Sequence, residues 1–303
     1  MKLANVTTRI LFIGVLLSMA CDNRDNHEPD SRLCPPELYR VQSLNTDPGK
    51  NSSLFAAFPS SVNTILHELD RNVMKSYPAK GMVSAQRQDV NVSSVAEMLK
   101  ILRNRGNDFL SDGPIESKFV GLCYHWSLLA TSVLRSRGYA CRVRCGFAPY
   151  LGRDQIGVDH TVIELWRSDE KRWQLIDPEL ISVKPEESVQ RLHIGSPMDP
   201  FQLSRDQFDL AATAWVNYRS RKVPEYYYGI EGNEPSYGFV RTSLIRDWLN
   251  VLGDERKVSF DPEIRTPKGM CEEDFLDSVA VLMLAPDNNF DRLKELSERI
   301  KSL

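Results

Sequence analysis

The chain lacks an excess of either charge. Its 38 Lys and Arg stand against 41 Asp and Glu, a formal net charge of −3, so the basic footprint that nucleic-acid binding requires is missing. It also lacks a Walker loop and a GxGxxG stretch, which removes the common phosphate-cradling backbones. Metal-ligand spacing is absent as well. Cys141 and Cys145 have no second ligand pair behind them at zinc-site intervals. The apolar run at residues 10–17 falls short of the ~20 residues that cross a bilayer.

Cysteine is scarce, at six. On a strand, residues four apart are separated by about 13 Å, so Cys141 and Cys145 cannot bridge each other. With Cys21 and Cys123 set aside for other roles, Cys34, Cys141, Cys145 and Cys271 remain. Export would permit disulfides among them, and their spacing does not fix a connectivity.

What the N-terminus does contain is an export signal. Lys2 and Arg9 precede the short apolar run, and Ser18, Met19, Ala20 and Cys21 follow as a cleavage site of small residues. Residues 1–20 read as a signal peptide. The segment resembles a bacterial lipobox, in which Cys21 would be lipidated and attach the protein to a membrane, although Ser18 stands where leucine is usual. Ser18 and Ala20 equally suit ordinary cleavage before Cys21, leaving a secreted protein. Residues 21–50 are polar and rich in Asp, Asn, Pro and Ser, the composition of a flexible tether.

Residues 51–303 have enough length for one large domain. Amphipathic helices are expected over residues 62–73 and 95–102, the second capped by Ser93 or Ser94 and ended by Gly106. His67 lies in the first as a packing or surface residue. Beyond Pro200 the chain turns helical, over residues 205–218 and 239–252. A closing pair follows at 272–284 and 290–301, with Asn289 available to cap the last helix. Tyr226, Tyr227 and Tyr228 form an aromatic cluster better suited to packing than to stacking on a ligand.

The chemistry concentrates around Cys123. A helix is expected to begin there. Trp126, Leu129, Ala130, Val133 and Leu134 recur at helical spacing along one buried stripe, and Gly138 supplies the stop. A thiol in a first turn faces unpaired backbone N–H groups and the positive end of the helix dipole, which favour the thiolate, the nucleophilic form. His125 is two residues further on, about 200° around the helix, so it cannot share a site with Cys123.

Residues 140–147, 158–166 and 172–177 read as strands, the last ended by Pro178. If Trp166 lies opposite Trp173, Val162 pairs with Asp177, and His160 becomes the diagonal neighbour of Asp177 on one face. A slip of one residue would separate them. A histidine held by a carboxylate, with a cysteine on a helix packed against the sheet, is the triad of thiol acyl-transfer chemistry. Cys123, His160 and Asp177 are the expected catalytic residues.

These residues carry a resemblance. Gly121 to Cys123, the helix, Gly138 to Val143, Asp159-His160 and residues 173–178 resemble the core of the transglutaminase-like superfamily, in particular an uncharacterised bacterial branch. Its phrases RCGFAxY, DHxxxExW and RWxLxDPxL recur here at residues 144–150, 159–166 and 172–180, and the likeness continues through Arg246-Asp247 to the closing helices. It departs at Tyr124, where the family has arginine after the cysteine, and at Thr161, where it has an aromatic.

The resemblance implies an α+β, papain-like core with an antiparallel sheet packed on the cysteine helix. It further implies a thioester route that needs no metal or cofactor, acting on a protein or peptide substrate with transfer to water or to an amine. The alternatives are a non-catalytic binding module or a structural lipoprotein that keeps the fold.

Overall fold

A computed structural model describes residues 36–75, 84–109, 112–152, 156–192, 197–230, 237–256 and 263–300. The expected signal peptide, Cys21 and Cys34 lie outside these residues. The helices are α1 (Val62–Asn72), α2 (Val95–Asn104), α3 (Cys123–Ser136), α4 (Pro185–Arg191), α5 (Ala211–Arg219), α6 (Tyr237–Val251), α7 (Glu272–Met283) and α8 (Phe290–Ser297). The strands are β1 (Val73–Lys75), β2 (Phe119–Gly121), β3 (Cys141–Ala148), β4 (Gly157–Arg167), β5 (Arg172–Ile176), β6 (Asp209–Leu210) and β7 (Tyr228–Gly229). The class is α+β.

β5, β4, β3 and β6 form a curled antiparallel sheet in that order, and β7 adds in parallel at the start of β4. β1 and β2 form a separate parallel pair that leads directly into α3. The register places Trp166 opposite Trp173 and Ile163 opposite Ile176. Gly146 faces His160 across the β3–β4 ladder. A side chain at Gly146 would meet the Asp209 carbonyl oxygen at 2.2 Å, so only glycine lets β6 close against β3.

α3 departs from the one-stripe expectation, since every residue from Tyr124 to Arg135 is buried. The helix packs against β3 and β4 and against α1. Its polar residues, which would otherwise mark a solvent face, are satisfied internally. Ser127 donates to the Thr161 carbonyl (2.9 Å), Ser132 to the Thr46 carbonyl (2.5 Å), and Arg135 pairs with Glu255 (2.7 Å). Gly138 takes φ +81° just past the end, as a left-handed stop should.

Residues 36–50 correct the tether expectation. Tyr39 is buried and donates to the Val251 carbonyl (2.9 Å), and Gln42 donates to the Ser132 carbonyl (2.9 Å). This stretch is docked because its few apolar and amide groups find partners on α3 and α6. Ser94 caps α2, accepting from the Glu97 N–H, and Gly106 follows with φ +73°. α5 begins at Ala211, because residues 209–210 are drawn into the sheet as β6. Asn289 does not cap α8. Its amide donates instead to the Leu282 and Ala285 carbonyls, closing the end of α7.

One core lies among α1, α2, α3 and the inner sheet residues Cys141, Val143, Ile163, Leu165 and Ile176. A second lies among α5, α6, α7 and α8. Tyr228 joins the second core, its ring 4.6 Å from Phe147, while Tyr226 stays exposed. Among the described residues no helix is long and apolar enough to cross a membrane. Cys141, Cys145 and Cys271 are free thiols, the first two buried and the third exposed.

Candidate active site

Cys123 is the first residue of α3, with Leu122 in the extended cap position. Leucine offers no capping oxygen, and His125 takes over part of that duty. Its Nδ1 accepts from the Leu122 N–H (3.0 Å), and its Nε2 therefore donates to the Val92 carbonyl (2.9 Å). Both nitrogens are spent, so the histidine nearest the cysteine in sequence is a structural one. Tyr124 is occupied too, donating to the carbonyls of Ser93 and Glu255.

β4 and β5 bring the other two residues in. His160 Nε2 donates to Asp177 Oδ2 at 2.9 Å, both side chains being buried. The Cys123 sulfur lies within 4.8 Å of the His160 ring nitrogen on offer, and within the same distance of a Glu179 carboxylate oxygen. With Nε2 committed to Asp177, Nδ1 is the nitrogen left for the thiol.

Asp177 is held from all sides. Tyr150 donates to the oxygen that binds His160 (2.8 Å), and the Glu179 N–H donates to the other (3.0 Å). The Asp177 N–H itself is taken by the Pro200 carbonyl (2.8 Å). The His160 ring is bounded edge-on by Tyr150 and Phe208.

Burial, the largest single influence on His160, opposes its charge, but the Asp177 carboxylate and the neighbouring cysteine outweigh it. The imidazole is raised well above its ordinary range. Asp177 mirrors this. Burial would raise it, yet the His160 charge and the hydrogen bonds from His160 and Tyr150 bring it below the usual carboxylate value. Desolvation pushes the thiols of Cys141 and Cys145 up to about 12, which makes them inert.

Three neighbours were not assigned a role from the sequence. Tyr150 appeared only as a letter in a recurring phrase, and its bond to Asp177 depends on the turn after β3. Glu179 follows the Asp-Pro and pairs with Lys75 at the end of β1 (3.3 Å). Arg246 of α6 reaches Asp159 (3.3 Å) and Thr161 (3.4 Å), on either side of His160, and its charge is felt at both Cys123 and Cys145. The small Thr161 hydroxyl is what Arg246 binds. No local pattern announces a contact spanning 85 residues.

The recurring phrases also supply a buried ionic network behind the site. Arg144 bridges Glu164 (2.6 Å) and Asp247 (2.8 Å), Arg142 pairs with Glu164 (2.8 Å), and the Cys145 N–H binds Asp247 (2.8 Å). Burial disfavours the Glu164 charge most, but Arg144, Arg142 and Arg205 together hold its pKa far below the usual value. Two cavities, of about 500 and 820 Å³, lie over this network and between α7 and α8; neither is lined by Cys123, His160 or Asp177.

Compared with protein-family models, curated proteins and solved structures, the chain finds no significant match.

Proposed function

We propose that the protein is a thiol-dependent acyl-transfer enzyme of transglutaminase-like type, built on a papain-like core. The observation that carries this reading is the convergence of Cys123, His160 and Asp177 from a helix tip and two adjoining strands. A fold kept only for binding has no need of a nucleophile, a base and an orienting carboxylate in one place.

In the proposed cycle the Cys123 thiol proton passes to His160 Nδ1, and Asp177 stabilises the imidazolium through Nε2. The sulfur attacks the carbonyl carbon of an amide, and the oxyanion that forms faces the Cys123 N–H at the start of α3. The carbon–nitrogen bond breaks as His160 returns its proton to the leaving amine, giving a thioester on Cys123. Water attacks the thioester in hydrolysis, or a second amine in transfer; His160 takes the proton of either, the carbon–sulfur bond breaks, and the Cys123 thiolate leaves and regains the proton from His160. The export signal makes proteins or peptides outside the cytoplasm, such as cell-wall peptides, the substrates this reading favours. Lipidation at Cys21 would hold the enzyme at a membrane.

The test is a panel of amide and peptide substrates assayed with and without amine acceptors, with mass spectrometry of Cys123. An acyl adduct on Cys123 and turnover abolished by Cys123→Ala are expected. Equal turnover by Cys123→Ala, or a Cys123 that never acylates, would leave a binding module or a structural lipoprotein.

A further inference from the structure

We propose that Cys123, His160 and Glu179 together form a reversible Zn²⁺ site that switches the thiol off. Their donor atoms, one sulfur, one ring nitrogen and one carboxylate oxygen, all lie within 4.8 Å of one another. Neighbouring ligands of a tetrahedral zinc ion are about 3.5 Å apart, given metal–ligand distances of about 2.0–2.3 Å. The three therefore need to close by only about an ångström around the ion.

The surroundings match what such a site needs. His160 donates its far nitrogen to Asp177 at 2.9 Å, the carboxylate–histidine pairing that fixes a metal-binding imidazole in place. Asp177 is steadied in turn by Tyr150 at 2.8 Å. Glu179 is the adjustable member. Its present partner is Lys75, in a pair 3.3 Å long whose lysine is 42% exposed. Solvent around the lysine screens the pair, so it yields readily to a divalent cation. Cys123 and Glu179 are both partly exposed, which gives the ion a way in.

The donor set selects the metal. Thiolate and imidazole favour zinc, whereas Mg²⁺ and Ca²⁺ call for oxygen ligands in larger number. Binding releases the thiol proton and ties up the sulfur and His160 Nδ1 at once. Its effect on turnover rests on the thiol-enzyme reading; the binding itself does not.

The experiment uses the full chain carrying Cys271→Ser, which removes the exposed thiol. Zn²⁺ is titrated in competition with a chromophoric chelator, and Cys123 alkylation is followed with and without the metal. The expected result is one zinc per chain, affinity at least about tenfold weaker in Glu179→Gln, and none in Cys123→Ala. Millimolar Mg²⁺ or Ca²⁺ should not compete, and zinc should shield Cys123 from iodoacetamide. Unchanged affinity in Glu179→Gln, or no retention of micromolar zinc, overturns the proposal. Zinc binding in a protein that turns over no amide when metal-free would remove the enzyme reading and leave the metal site standing. Turnover without zinc binding would do the reverse.

Discussion

His160 is buried, yet it carries more charge than a buried imidazole ordinarily would, because Asp177 lies 2.9 Å from its far nitrogen. That arrangement makes stability depend on pH with a definite sign. The folded pKa of His160 lies above the unfolded value of about 6.5, so its contribution is fully present below that pH. It fades as pH climbs through the folded value. Asp177 is lowered, so its contribution is present above about 3.8 and lost as pH falls through its folded value. Urea unfolding of wild type and His160→Gln should therefore show a stability gap that is full below about pH 6.5 and narrows as pH rises above it. A gap that widens with pH would contradict the pairing.

The same residue scale shows what one chain position can and cannot announce. His160 and Asp177 were legible because period-2 alternation and a tryptophan pair fix the register that joins them. Glu179, Tyr150 and Arg246 were not, because each acts through a loop or a helix from outside the β4–β5 hairpin.

At the scale of elements, α3 carries the design. It starts at Cys123, and its burial on every side anchors that sulfur against the sheet. Sequence periodicity located the helix and its glycine stop. It missed the helix's central position, because Ser127, Thr131, Ser132 and Arg135 resemble a wet face until their partners are known. The docked stretch 36–50 was hidden for a related reason. Its composition is that of a linker, and the contacts that dock it reach residues from 48 to 212 positions away. β6 offers a test at this scale. Gly146→Ala places a methyl group against the Asp209 carbonyl and should cost about 1–3 kcal/mol of stability, measured by urea denaturation. A neutral result would mean that β6 does not close on β3 opposite His160.

Across the whole molecule, the site is braced by charge as much as by the two cores. Arg142, Arg144, Glu164 and Asp247 are all buried, and Asp247 of α6 ties the second core to β3 beside the site. Removing one partner strands a buried charge. Asp247→Ala should destabilise by about 3–5 kcal/mol, whereas breaking the exposed Arg292–Glu295 pair with Arg292→Ala should cost about 0–1 kcal/mol. Thermal melts of the two variants, compared with wild type, read this difference directly. Equal shifts would mean that the network does not hold the halves together. In the sequence these residues were visible only as recurring letters, since an ion pair between positions 144 and 247 leaves no local periodicity.

The four described thiols provide the most direct test of the central claim, because their accessibilities and their expected reactivities rank differently. Cys271 is exposed, Cys123 is partly buried at the helix start, and Cys141 and Cys145 are sealed. Site-resolved iodoacetamide labelling near neutral pH should modify Cys123 ahead of Cys271, and His160→Ala should slow Cys123 by about a hundredfold or more while leaving Cys271 unchanged. Labelling that simply follows exposure, with Cys271 first and Cys123 indifferent to His160→Ala, would contradict an activated nucleophile at this site.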